Sequence, residues 1–156
     1  MSQIKVNSIV PVAGLSGGAS GGIIQVKQTL WNTHDGNLSN TSFAALSGFT
    51  CIITPSSTSS KILITLNLSV EVRSASIVAI ELTRGGSSLF TNEGGLRGDG
   101  TAQGGYVSMT YLDSPASTSA LTYGVQTRTS NSTYALNNYI GSGPCNSFLT
   151  LMEVSG

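Results

Sequence analysis

Charge is what this sequence has least of. Seven Lys and Arg stand against seven Asp and Glu in 156 residues, so 9% of the side chains are charged and the net charge is zero. Soluble domains usually carry about 25%. Without a basic surface there is no electrostatic footprint for nucleic acid or for an anionic membrane, and neither is expected as a partner. Histidine is down to His34, and cysteine to Cys51 and Cys145. These are too few and too scattered for a zinc site or a disulfide framework, so no metal and no cofactor is expected. Cys51 lies inside an apolar strand pattern and reads as a buried free thiol, with a Cys51–Cys145 bridge as the minority reading. No apolar run approaches the ~20 residues of a membrane-spanning helix. The opening MSQIKVNSIVPVAGLSGG has one Lys, no continuous apolar stretch and an early Pro11, which does not read as a secretory signal. A helical stripe of apolar residues is also missing throughout.

What is present is 39% hydrophobic residues and a polar fraction carried by 25 Ser and 17 Thr. That much apolar content with no net charge excludes intrinsic disorder and suits a single domain with one core. Residues 1–22 stand apart from the rest. Ile4, Val6, Ile9, Val10 and Val12 make a sticky segment, and GLSGGASGG (14–22) is a hinge in which glycine's backbone freedom resists a regular element. The expectation is an extended N-terminal arm that docks on another surface, followed by a domain over 23–156.

From residue 23 the apolar period is two. In KILITLNLSVEV (61–72), Ile62, Ile64, Leu66, Leu68, Val70 and Val72 fall on one face and a semi-polar set on the other. Strands are also predicted at 23–31, 43–54, 76–84, 105–113, 121–128 and 148–154. Between them lie clusters of turn-forming residues, including RGGSS (84–88), NEGGLRGDGTAQGG (92–105) and TSNST (129–133). Seven or more strands separated in this way predict an all-β sandwich or barrel. Leu63, Ile77, Ala79, Leu149 and Leu151 are expected on outer faces available for self-association.

Catalytic patterns occur as accidents of composition. Gly14-Leu15-Ser16-Gly17-Gly18 matches a nucleophile elbow literally, but that motif needs a strand before it and a helix after it. His34 sits with Asp35 in the turn-like NTHDGN (32–37) and reads as an exposed loop residue. Glu71 and Glu81 lie on the polar faces of successive strands; as a glycosidase pair they would have to stand roughly 5–9.5 Å apart. Solvated or interface carboxylates are the better reading, and no enzyme is expected. Arg97-Gly98-Asp99 is an integrin-type tripeptide in a glycine-rich setting, and sequons begin at Asn37, Asn40 and Asn131; both kinds of short match arise readily by chance. Binding is the stronger prospect. Loops carrying Tyr134, Asn137, Asn138 and Tyr139 combine adaptable hydrogen bonding with flat aromatic area, the mixture used by paratopes and by sugar-stacking sites. A core-capping role for Tyr134 and Tyr139 is weighed equally.

Three segments together resemble small tail-fibre-like proteins of bacteriophages, especially those of cyanophages and other aquatic phages. They are the opening MSQIKVNSIVPVAGLSGGASGGIIQVKQT, the phrase ITPSSTSSKILITLNLSV (53–70), and LDSPASTSALTYGVQTR (112–128) with the closing FLTLMEV. The strand order is also similar to the C1q/tumour-necrosis-factor jelly roll. These resemblances imply an antiparallel jelly-roll β-sandwich, a homotrimer, and a virion structural protein serving as a tail fibre or tip. In that reading the arm (Ile4, Val6, Ile9, Val10, Val12) engages other tail or capsid proteins. Loops carrying Arg97, Asp99, Tyr134, Asn138 and Tyr139 then meet a host surface glycan or protein. A head fibre or capsid-decorating protein is the alternative.

Overall fold

The computed structural model describes residues 22–131, 133–137 and 145–156; the arm residues Ile4 to Val12, together with Asn138 and Tyr139, lie outside these. Ten strands follow one another: β1 (Ile23–Trp31), β2 (Asp35–Leu38), β3 (Ala44–Ile53), β4 (Lys61–Val72), β5 (Ile77–Arg84), β6 (Ser87–Arg97), β7 (Gln103–Asp113), β8 (Leu121–Thr129), β9 (Tyr134–Leu136) and β10 (Ser147–Val154). They form two antiparallel sheets. In the first, β9 and β10 lie end to end along one side of β4, which pairs with β10 over residues 61–67 and with β9 over 70–72. β1 and β2 continue the same arrangement on the next row, β1 against β10 and β2 against β9. β7 flanks the other side of β4.

The six strands of this sheet thus occupy four rows, and the second sheet runs β3-β8-β5-β6. Counting rows in chain order, the first sheet holds the first, eighth, third and sixth, and the second holds the second, seventh, fourth and fifth. That interleaving of two Greek keys is the jelly roll, so the fold class expected from the sequence stands.

The core forms where the alternation predicts it. Ile62, Ile64, Leu68, Val70 and Val72 of β4 are fully buried, facing Val78, Ile80 and Leu82 of β5 and Val125 of β8 across the sandwich. Trp31 stacks on Phe49 with ring centroids 5.1 Å apart, joining the β1 edge to β3. β3 bulges between Ala45 and Thr50, with Gly48 at φ +75°, and this excursion buries both Leu46 and Phe49. β5 and β6 join through Gly85 and Gly86, both at positive φ. That is the two-residue reverse turn that suits a twisted hairpin and that glycine tolerates without strain.

Two predictions about strand extent change. Residues 92–97 belong to β6 and 103–105 to β7, so the cluster 92–105 contracts to a short turn at 98–102. The residues 35–38, expected in a turn, form β2. The last strand also presents the opposite face to the one expected. Leu149 and Leu151 are fully buried, whereas Phe148, Met152 and Val154 point outward and are only partly covered. Glu153 shares the inner face with the two leucines and is itself fully buried, which is why its charge misleads a reading by alternation. Ala79 is likewise covered, at 3% exposure.

Polar ties hold the two sheets together at each end. At the end where β1 begins, the Tyr123 hydroxyl donates to Asp113 at 2.7 Å and Arg84 reaches the same oxygen at 2.5 Å. Burial opposes the Arg84 charge, but the Asp113 carboxylate outweighs it and holds the guanidinium above its ordinary pKa. Burial first, then Asp113, pushes the Tyr123 phenol well up. At the opposite end the Tyr134 hydroxyl lies 2.7 Å from that of Thr127 and donates to Asn40 at 2.9 Å. Beside the β9–β10 junction, Asn137 (φ +51°) donates to the carbonyls of Trp31 and Thr33 and accepts from the Ser147 hydroxyl. Every polar group of that buried amide is occupied by neighbouring rows, and each buried partner avoids the cost of standing unpaired.

Candidate functional site

Two surfaces distinguish this domain: the outer face of the first sheet and the loops at the end away from Gly22. The face follows from register. Directly paired residues share a side of a sheet, so Val26, Met152, Leu63 and Leu112 form one continuous row across all four strands. A row of Gln28, Thr150, Thr65 and Thr110 lies beside it, and Leu30, Phe148, Asn67 and Ser108 make the next. Val26, Leu30 and Leu112 are each about half exposed (55%, 53% and 49%), as are Ile24 and Tyr106 on the same strands. These three rows contain no charged residue. Between them a shallow depression of about 380 Å³ is lined by Thr65, Asn67, Ser108, Thr110, Phe148 and Thr150. Burying these rows costs little in desolvation of charge, and the first of them is a contiguous apolar band of the kind that marks contact surfaces.

The outer face of the second sheet is different. Arg128 pairs with Glu93 and lies over the Phe43 ring at 5.2 Å from its centroid. Beneath these side chains Ala79, Glu81 and Thr83 are buried, with Glu81 accepting from the Thr91 hydroxyl at 3.0 Å. These side chains cover part of this face, and beside them a depression of about 130 Å³ is lined by Thr50, Thr83, Thr122, Gly124 and Gln126.

At the far end stand the turns 39–43, 73–76 and 98–102 and the residues after Thr129. Backbone bonds tie them into one cluster: Gly98 N–H to Ser76, Ser130 N–H to Ile77, and Thr129 N–H to Asn40. Arg97 closes β6 and is exposed. Gly98 is buried, and a Cβ there would collide with the Ser74 carbonyl oxygen and approach Val72 Cγ1 to 2.8 Å. Asp99 is exposed and accepts from the hydroxyl and N–H of Thr101. Those hydrogen bonds hold its carboxyl below the usual carboxylate range. Arg97-Gly98-Asp99 is therefore part of a packed turn, in which the glycine answers a steric demand.

The predicted contact residues divide accordingly. Arg97 and Asp99 lie together at the far end. Tyr134 is corrected: it is fully buried, its hydroxyl spent on Thr127 and Asn40, and burial pushes its phenol pKa up. It caps the core and cannot meet a partner. The Asn40 amide is committed to Tyr134, Ser42 and Thr127, so that sequon sits in a structural bond network. The two carboxylates disfavoured as a pair by the sequence are not solvated but buried, and they lie apart. Glu71 lies on the outer face of the first sheet and Glu81 on that of the second. Packed sheets stand about 10 Å apart, and both side chains point outward, so the two carboxyls cannot flank one glycosidic bond. His34 is exposed, and among the described residues no three His, Cys, Asp or Glu side chains gather as metal ligands. Cys51 and Cys145 are free thiols; burial and the Cys145 thiol together raise the Tyr106 pKa.

Two features escaped the sequence reading. The side-to-side apolar row depends on strand pairing, which alternation within one strand does not reveal. The hydroxyl cluster of Ser76, Thr129 and Ser130 depends on two separate segments converging, the turn before β5 and the end of β8. No protein-family model matches this chain, and no curated protein does.

Proposed function

We propose that this chain is a bacteriophage virion structural protein, a homotrimeric fibre or tip whose far-end loops meet the host surface. The observation that carries the reading is the set of three uncharged rows, half-exposed at Val26, Leu30 and Leu112, on the outer face of the first sheet. A domain with no net charge and an apolar band across four strands has little protection against association. Closed threefold symmetry would bury one such band per subunit without open-ended growth. The polarity of the fold supports the rest. β1 begins at one end, while Arg97, Asp99 and the hydroxyl cluster lie at the other, an arrangement that suits docking through the preceding segment and contact through the far loops. The sequence resemblance to phage tail-fibre-like proteins supplies the virion setting. The mechanism is adhesion: three copies of each loop act together, so weak single contacts combine through avidity.

The first test is the solution mass by light scattering behind a sizing column. A mass three times 16.0 kDa, retained when residues 1–22 are deleted, supports a trimer held by the sandwich. A monomer in both forms refutes it. Gold-labelled antibody on intact virions then locates the protein on tail or head.

A further inference from the structure

The far-end turns enclose a cleft of about 160 Å³ lined by Ala75, Ser76, Ile77, Arg97, Gly98 and Ser130. Its one charge is Arg97. The other three arginines are engaged: Arg73 with Glu71, Arg84 with Asp113, and Arg128 with Glu93. Among the described residues Arg97 has no carboxylate within ion-pair distance, although Asp99 is two residues away. Thr101 holds Asp99 on its own turn. The guanidinium thus carries an unanswered charge at the mouth of a small polar hollow.

The wall opposite is a chain of hydroxyls. Thr129 Oγ1 lies 2.6 Å from Ser76 Oγ, which lies 3.1 Å from Ser130 Oγ. The Ile77 N–H donates to Ser130 Oγ at 3.0 Å. A hydroxyl has two acceptor lone pairs and one proton. When Thr129 donates to Ser76 and Ser76 to Ser130, both lone pairs of Ser130 are filled, by Ser76 and by Ile77. Its own proton is then free to point into the cleft. An acceptor there, and above all an anion, selects that orientation of the chain. Arg97 adds a planar fork matched to two oxygens of a carboxylate or sulfate.

We infer that this cleft binds the anionic group of an acidic sugar, a carboxylate or sulfate on a surface glycan. The inference rests on the adhesive reading and names its ligand class. The Arg97 fork takes the anion, Ser130 adds a directed donor, and the backbone of residues 75–77 sets the width of the hollow. A sugar fits better than an acidic peptide because, beside Arg97, the lining sets the Ser76 and Ser130 hydroxyls next to the apolar Ala75 and Ile77, suited to the hydroxyls and the C–H face of a ring.

The test is biolayer interferometry of the full-length protein on immobilised polygalacturonic acid, dextran sulfate, poly-L-glutamate and unmodified dextran. Binding is expected to one or both anionic glycans, with little to dextran or polyglutamate. Arg97→Gln should weaken it by about tenfold or more, the usual worth of a hydrogen bond to a charged group. Arg97→Lys should restore part of it by returning the charge without the fork, and Ser130→Ala should cost several-fold. Arg97 is exposed, so its variants should melt with the wild type, which separates lost binding from lost fold. Arg97→Gln binding as tightly as wild type, or equal binding to dextran or to polyglutamate, overturns the inference. Light scattering on the same samples keeps the two readings apart. A trimer that ignores both anionic glycans refutes the cleft alone, and a monomer that binds them refutes the trimer alone.

Discussion

Replacing Glu153 by Gln offers a quantitative check on how this sandwich is held. The carboxylate is fully buried, yet it accepts from Gln25 Nε2 at 2.6 Å, from Ser56 N–H at 2.7 Å and from Ser56 Oγ at 2.6 Å. Burial alone would raise its pKa. The donors from Gln25 and Ser56 outweigh it and bring the group down from 4.5 to about 2. At about 1.36 kcal/mol per unit, that difference has a ceiling of roughly 3 kcal/mol. The site lies just beneath the 54–60 turn, and solvent screening lowers the expected worth to about 2 kcal/mol.

A group whose folded pKa is depressed stabilises fully above its unfolded pKa and loses that contribution as pH falls through the folded value. The wild-type advantage over Glu153→Gln should therefore be constant from neutral pH to about 4.5. It should then shrink between about 4.5 and about 2. The amide also replaces one carboxylate oxygen by an N–H₂ that faces either the Gln25 donor or the two donors of Ser56, which adds an unsatisfied group. For a domain of this length the melting temperature should fall by about 4–8 °C at pH 7. Differential scanning calorimetry at matched protein concentration reads this, since any assembly makes melting concentration-dependent. A gap that is the same at pH 3 and pH 7, or one below about 0.5 kcal/mol, would refute the reasoning.

Three further outcomes follow from the same geometry. Gly98→Ala should destabilise by about 1–3 kcal/mol, the usual cost of overpacking, because its Cβ meets the Ser74 carbonyl and Val72; chemical denaturation measures it. Tyr134→Phe should cost about 1–2 kcal/mol by orphaning part of the Thr127–Asn40 network, while leaving glycan binding unchanged, as suits a core residue. Leu63→Asp, placed mid-row on the outer face of the first sheet, should shift the light-scattering mass from trimer to monomer. Its far-ultraviolet circular dichroism should stay that of a β-sandwich, and a trimer that survives the change would remove that face from the interface.

How far the sequence carried the structure depends on which physical signal each segment bears. β4 was legible to its last residue because both its faces alternate cleanly and its inward side chains are all β-branched or Leu. β6 was not. Its Asn92-Glu93-Gly94-Gly95 stretch has the composition of a turn, yet Gly95 is demanded by pairing: a Cβ there would stand 2.8 Å from the Val78 carbonyl oxygen. The register shifts at that point, so the glycine marks close backbone approach at a bulge. β2 and β9, of four and three residues, are too short to show a period. Tyr134 shows the limit at the candidate site. A tyrosine beside Asn and Ser has the composition of a contact loop, and only the neighbouring row decides that it faces inward. Arg97 and Asp99 were singled out only as the ends of an integrin-type tripeptide in a glycine-rich setting. The hydroxyls that give Arg97 its setting, being among so many Ser and Thr, carried no distinguishing mark.

The end-to-end arrangement of β9 and β10 has a consequence for how this protein can change. The row breaks at Asn137 and resumes at Ser147, and the two sides of the break are fastened to each other. The Cys145 N–H donates to the Asn137 carbonyl, and the Ser147 hydroxyl bonds the Asn137 amide and receives the Ser69 N–H. A chain whose two ends are pinned together can lengthen between them at an entropic cost that grows only logarithmically, about 0.6 kcal/mol per doubling. The register of β9 and β10 is therefore set by their own pairing with β4 and by this fastening between Asn137 and Cys145–Ser147, and does not depend on the length of chain between them.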